Sequence, residues 1–170
     1  MPKIEKILAI DPGNIESGWC LINDDYTVVE KGKDENIVLV KNIYNLYYKY
    51  NPDHIVVEMV ASYGMAVGQT VFDTCVWIGR YLQQADEMGV PSSRMYRKDI
   101  KMNICGQVRA KDSNIRQALV DRFSYERHKA KGGKGVKADP GFFYGFSKDM
   151  WAAYAVGVTY LDLEKRKKSR

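Results

Sequence analysis

Histidine is almost missing from this chain. His54 and His128 are the only two, and the three cysteines, Cys20, Cys75 and Cys105, lie far apart with no CxxC pair. That supply leaves next to no room for a zinc site built from His and Cys. An odd, dispersed cysteine count also forms no disulfide framework, and it predicts reduced thiols in a cytoplasm-like compartment. Long apolar runs are absent too: none approaches the roughly 20 residues of a membrane span, so no membrane partner is expected. The polar first six residues lead straight into a strand-like run, and no secretory leader is visible there. There is no internal repeat and no linker. The one low-complexity stretch is 129–137 (KAKGGKGVK), which reads as a mobile loop inside the domain.

What is present has ordinary globular proportions. The 170 residues are 45% hydrophobic and 28% charged, which is one domain's worth of chain and excludes a disordered or fibrous protein. We expect a single domain over 1–164 and a basic, frayed tail over 165–170. The net charge of +5 is unevenly spread. Residues 1–93 carry −6, residues 94–137 carry +9, and residues 138–170 carry +2. An acidic half beside a basic stretch suggests a polyanion-binding surface next to a carboxylate-rich site, although a solvated basic helix gives the same pattern.

The pattern of apolar residues predicts an α/β domain. Residues 6–11 (KILAID) read as a buried strand, and 17–23 and 26–31 as two more around a turn at Asp24-Asp25, together an antiparallel meander. Ile37, Val40, Ile43, Tyr44 and Tyr47 recur at helical spacing until Asn51-Pro52. HIVVE (54–58) is a fourth strand and 94–96 a short fifth. Helices are expected over 71–88, over 112–123 with Asp112 or Ser113 as N-cap, and from 147 or 149 to 164. Trp77 and Trp151 fall in apolar helical patterns and are assigned to the core.

Three carboxylates stand where buried elements meet loops. Asp11 ends the first strand before Pro12-Gly13, Glu58 ends HIVVE, and Asp149 opens the final helix. A carboxylate at the end of an apolar strand needs compensation by a cation or hydrogen bonds. Three that converge have natural partners in Mg²⁺ or Mn²⁺, which take hard oxygen ligands. Each has a plainer reading as well: a turn residue for Asp11, a solvent-facing strand end for Glu58, a helix cap for Asp149.

In order and separation, ILAIDPGNIESGW, HIVVE and DMWAAYAVGVTY resemble the motifs of the RuvC family of Holliday-junction resolvases, especially its phage-encoded members. RAKDSNIRQALVDRF resembles the basic helical segment of the phage type. The resemblance implies a ribonuclease H-like fold: a five-stranded mixed sheet, an antiparallel meander followed by parallel strands, flanked by helices. It implies a homodimeric endonuclease that resolves four-way DNA junctions, and other branched DNA, by paired phosphodiester hydrolysis with metal-activated water. One or two Mg²⁺ or Mn²⁺ ions per site would be held by Asp11, Glu58 and Asp149. A phage-encoded chain would act in the host cytoplasm.

The sequence departs from the family at one position. On the alignment set by AAYAVGVTY, the last acid of the family's set is Ala152 here. Positions 149 and 152 share a helix face, so an acid at 152 would point with Asp149. Either the chain has a three-carboxylate site, or a deliberate Asp→Ala change at 152 inactivates the enzyme; a weaker register would place the last acid at Asp149 and the preceding member at Phe146.

Arg94, Arg97, Lys98, Lys101, Arg109, Lys111, Arg116, Arg122, Arg127, Lys129, Lys131, Lys134 and Lys137 are expected to neutralise phosphates without reading sequence. Lys111 precedes a helix start, where anions are favoured, and is a candidate catalytic contact to the scissile phosphate. In the loop after Glu58, Tyr63 is a candidate wedge between bases, while Met65 is expected in the core. The apolar stripe over 71–88 is the candidate dimer surface, or faces the sheet. Two alternatives remain: a non-catalytic junction-binding protein, and a ribonuclease H-like nuclease for another nucleic-acid structure. An actin-like or sugar-kinase ATPase would need a second domain.

Overall fold

The computed structural model describes residues 3–170. A five-stranded sheet in the order β3-β2-β1-β4-β5 carries the chain. Strands β1 (Lys6–Asp11), β2 (Glu16–Asn23) and β3 (Val28–Glu35) form an antiparallel meander. Strands β4 (His54–Met59) and β5 (Ser92–Tyr96) then run parallel to β1 on its other side. Helices α1 (Asn36–Tyr50), α2 (Gln69–Glu87), α3 (Arg97–Cys105), α4 (Asp112–Phe123) and α6 (Lys148–Lys168) cover both faces, with a one-turn helix α5 (Glu126–Lys129) and a small hairpin, β6 (Gly135–Val136) and β7 (Asp139–Pro140), between α4 and α6. This is a ribonuclease H-like α/β fold, as expected.

The central strands are apolar on both faces because both faces are covered. Strand alternation sends Ile7, Ala9, Cys20, Ile22 and Val56 into one core, under α6, α3 and α4. Leu8, Ile10, Trp19, Leu21, Ile55 and Val57 enter the other, under α1 and α2. Helix α6 is the most buried element, with Ala153 to Tyr160 all inside, so its sequence lacks an amphipathic stripe. It can lie so close because Gly157 crosses the sheet: a Cβ there would stand 2.6 Å from Ile22 and 3.1 Å from Ala9.

Several expectations need correction. The turn after β2 spans residues 24–27, with Tyr26 in the left-handed region (φ 71), so β3 starts at Val28 and runs through KGKDE to Glu35. As an edge strand it tolerates the charges that disguised it. Helix α3 was not foreseen. Lys111, not Asp112 or Ser113, is the N-cap of α4; its N–H donates to Asn114 Oδ1 at 2.9 Å. Helix α6 continues through the supposed tail to Lys168, where Lys165 reaches back over the Tyr26 ring at 3.9 Å. Met65 is 70% exposed rather than in the core, Trp151 is buried, and Trp77 is half-buried under Arg80 at 4.2 Å. The stretch 129–137 leads from the end of α5 through a turn into the β6–β7 hairpin and is tied down rather than a loose loop. Asp139 accepts from Arg127 at 2.8 and 3.1 Å and lies 2.7 Å from buried His128 Nε2. Its glycines are required: Gly133 has φ 72, and a Cβ there would meet Ser124 Oγ at 2.1 Å.

A candidate carboxylate active site

The parallel register pairs Ile10 with Val57, so the next residues, Asp11 at the end of β1 and Glu58 one residue before the end of β4, stand side by side. Asp11 shares a face with Ile7 and Ala9, and Glu58 with Val56, so both side chains point toward α6. Asp149 lies in the first turn of α6, on the same side. What brings the helix end there is Gly18. It pairs with Asp11 across the β1–β2 ladder, and a Cβ on it would stand 2.4 Å from the Asp149 carbonyl oxygen. The missing side chain is therefore the seat of the helix end that carries Asp149.

The turn after Asp11 is held from below by buried polar side chains. Ser17 Oγ donates to Asn36 Oδ1 at 2.6 Å and accepts from the Gly13 N–H at 3.2 Å; Asn36 Nδ2 donates to the Gly13 carbonyl at 2.8 Å. The Tyr81 hydroxyl completes the set, 3.0 Å from Asn36 Oδ1 and 3.1 Å from Ser17 Oγ. Sequence reasoning missed Asn36 and Tyr81. Their partners lie 19 to 64 positions away, beyond any local pattern.

Asp11, Glu58 and Asp149 line one cavity of about 380 Å³ with Arg97, Asp112, Ser113, Ile115, Arg116, Leu119, Lys148, Trp151, Ala152 and Ala155. Ala152 thus faces the cavity alongside Asp149, as helical spacing requires. A second cavity, about 340 Å³, shares Asp11, Glu58 and Arg97 and opens toward Val60, Ala61 and Tyr63. Burial first, and then the neighbouring charge of Glu58, hold the Asp11 carboxyl well above the usual carboxylate range. Burial raises Glu58 as well, against the opposing pull of Arg97. Asp149 is tied elsewhere: Lys33 Nζ bridges it and Glu16, each at 2.9 Å.

These residues fit a divalent cation in part. Among the described residues no N–H or hydroxyl group donates to buried Glu58 Oε2, and Glu58 stands beside a second hard oxygen donor, Asp11. Among the described residues, however, no group of three His, Cys, Asp or Glu side chains gathers closely enough to hold a metal. Asp149 faces the same cavity but would have to leave Lys33 to join the pair.

The basic residues divide. Arg109, Lys111, Arg116, Lys131 and Lys137 are exposed, and Lys129 and Lys134 half-buried, with Lys129 on Glu126 at 2.8 Å. Arg116 lies on the cavity wall, its guanidinium 4.8 Å from the centre of the Trp151 ring. Lys111 is not among the cavity-lining residues; the cations there are Arg97, Arg116 and Lys148. Arg122 and Arg127 are each bound to a carboxylate within the fold, Asp162 and Asp139. Tyr63 is 62% exposed with φ 48, in a loop that projects beside the second cavity.

The five-stranded mixed sheet with its flanking helices is a ribonuclease H-like core, and solved structures share that fold. RuvC of Thermus thermophilus superposes with a TM-score of 0.72 at 14% identity, covering 95% of this chain and 96% of that one. The same protein in complex with Holliday junction substrate gives 0.71 at 12% identity, with 96% of each chain covered. The yeast mitochondrial Holliday junction resolvase gives 0.60 at 16% identity, over 96% of this chain and 80% of that one. No protein-family model matches the chain, and no curated protein matches it.

Proposed function

We propose that this chain is a metal-dependent, structure-selective endonuclease of the RuvC type that acts as a homodimer on four-way DNA junctions. The observation that carries the reading is the juxtaposition of Asp11 and Glu58 just beyond the Ile10–Val57 pair of β1 and β4, with Asp149 on the same cavity, in a fold shared with junction resolvases. An Mg²⁺ or Mn²⁺ ion held by Asp11 and Glu58 would supply the Lewis-acid charge that phosphodiester hydrolysis needs.

The chain's own residues would do the rest. Arg116 and Lys148 on the cavity wall meet the incoming phosphate. Arg109, Lys111 and the lysines of the tied hairpin hold the backbone of the arms by charge, without reading bases. Lys111 acts from outside the cavity, so we assign it to docking. The exposed ring of Tyr63 is presented beside the second cavity, where a branch point offers unstacked bases. On α2, Thr74, Ile78, Tyr81, Gln84 and Ala85 are buried, which leaves exposed Phe72 and Val76 for the partner subunit. Such an enzyme would work in the cytoplasm, the host's if the chain is phage-encoded.

A second reading, a junction-binding protein with little or no cleavage, is favoured by two observations: Ala152 gives the cavity no fourth carboxylate, and Asp149 is paired with Lys33. A panel of four-way junction, three-way fork, RNA–DNA hybrid and linear duplex, bound in Ca²⁺ and then supplied with Mg²⁺ or Mn²⁺, tests both. Preferential binding and paired nicking of the four-way junction support the resolvase. Binding with no nicking supports the binder, and equal handling of all four substrates rejects both.

A further inference from the structure

A cation already sits among these carboxylates. Arg97, the first residue of α3, sends its guanidinium back to the strand ends, with Nη1 3.5 Å from Glu58 Oε1 and Nη2 bonded to Asp112. It lines both cavities, as do Asp11 and Glu58. Its side chain is 29% exposed, against 66% for that of Asp112. Neither Arg116 nor Lys148 forms an ion pair with Asp11 or Glu58 among the described residues. Arg97 is therefore the counter-charge that faces Glu58 in this pair of adjacent buried acids.

The contact is lopsided. Glu58 gives Arg97 one oxygen at long range, and among the described residues no N–H or hydroxyl group donates to Oε2. A bidentate guanidinium–carboxylate pair would be shorter and would use both oxygens. The second partner, Asp112, is at the start of α4, so Arg97 is shared between the strand end and the helix instead of committed to either.

We propose that Arg97 is a positioning residue that competes with the divalent cation: it holds Glu58 in the metal-free chain and weakens ion binding until it gives way. The inference rests on the reading of Asp11 and Glu58 as metal ligands. A divalent ion beside Glu58 faces the repulsion of a fixed positive charge a few ångströms away. Removing that charge leaves the acids to be neutralised by the ion alone. Loss of Asp112 has the opposite effect, because it frees the guanidinium to settle on Glu58.

Mn²⁺ titration without DNA tests this, by calorimetry and by electron paramagnetic resonance of free Mn²⁺. Arg97→Gln should bind Mn²⁺ about tenfold more tightly than the unmodified chain, and Asp112→Asn more weakly. Arg97→Lys keeps the charge and should stay within about threefold. Melting curves guard against misfolding: saturating Mn²⁺ should raise the melting temperature of Arg97→Gln more than that of the unmodified chain. A merely structural Arg97 would lower stability in Arg97→Gln and leave Mn²⁺ affinity unchanged or reduced, which overturns the proposal. If neither protein binds Mn²⁺, the metal reading falls and the proposal with it. Unchanged Mn²⁺ affinity together with Mn²⁺-dependent junction cutting refutes the Arg97 proposal alone.

Discussion

Replacing Gly18 by Ala tests the seat of the active-site helix. The new Cβ would stand 2.4 Å from the carbonyl oxygen of Asp149, 2.6 Å from its carbonyl carbon and 2.8 Å from its Cβ, where ordinary contacts begin at 3.4 Å. The obstacle is backbone as well as side chain, so rotamer changes cannot relieve it. The start of α6 must move by about 1 Å relative to β2. Overpacking of this kind costs about 1–3 kcal/mol. For a chain of this length that is a fall in melting temperature of roughly 3–10 °C. The catalytic effect should be larger in proportion, because a 1 Å misplacement of a catalytic group can cost on the order of 10²-fold in rate. The cleavage arm belongs in an Ala152→Asp background, where activity is expected. Junction affinity should change less than threefold, since docking rests on Arg109, Lys111, Arg116 and the hairpin lysines. Gly79→Ala is the control: its Cβ meets nothing within 4 Å, and in mid-helix it should stabilise by about 0.5–1 kcal/mol. A Gly18→Ala protein that melts and cleaves like its parent would refute the argument that this glycine sets the position of Asp149.

Other consequences are open to measurement. Replacing Lys129, Lys131, Lys134 and Lys137 together by Ala should weaken binding to all DNA forms and lower the log–log salt slope by about one unit for each lost phosphate contact. An unaltered slope would show that the hairpin never meets phosphate. His54 is buried, stacked on Tyr160 at 4.4 Å and 2.7 Å from Ser93 Oγ, and burial lowers its pKa to about 4. The unfolded chain therefore takes up a proton there first. The stability His54 contributes is complete above about pH 6.5 and is lost as pH falls toward 4. Asp11 and Glu58, raised by burial, act the other way in the same range, so the readout is the difference between the unmodified chain and His54→Gln. A difference that stays flat from pH 4 to 7 would contradict this reading. Asp162 accepts from Arg122, Asn103 and Tyr26 at 2.7 to 2.9 Å. Asp162→Ala strands Arg122 and Asn103, and should destabilise by about 3 kcal/mol in chemical denaturation; a loss under about 1 kcal/mol would show that the network is solvated.

The parts of the site that were legible in the sequence were those carried by local pattern. Asp11 and Glu58 stood out because KILAID and HIVVE are apolar on both faces and end in acids. Helix α4 was legible over 112–123 from its apolar spacing, although its N-cap is Lys111 and not Asp112 or Ser113. Helix α3 escaped because RKDIKMNIC follows β5 without a break and buries only Ile100. Arg97 and Arg122 read as phosphate binders because a paired arginine and a free one look the same in sequence; only the fold brings Glu58, Asp112 and Asp162 to them. The hairpin after α5 was hidden in a glycine- and lysine-rich stretch whose order comes from Arg127, His128 and Asp139, spread over 13 positions. Met65 was misplaced because hydrophobicity alone does not say whether a loop turns inward.

The measurement that bears most directly on the proposed chemistry is Mn²⁺-dependent cutting of a four-way junction by Ala152→Asp, beside the unmodified chain and beside Ala152→Asp with Asp11→Asn. Ala152 already faces the cavity with Asp149, so an acid there can join the ligand set without moving the backbone. The unmodified chain should bind the junction well and cut it slowly or not at all. Ala152→Asp should cut it orders of magnitude faster, as paired symmetric nicks, with a dissociation constant within a few-fold; Asp11→Asn should abolish that gain. A gain that survives Asp11→Asn would contradict the assignment of Asp11. An unmodified chain that already cuts at a rate Ala152→Asp does not improve would show a three-carboxylate site complete as it stands.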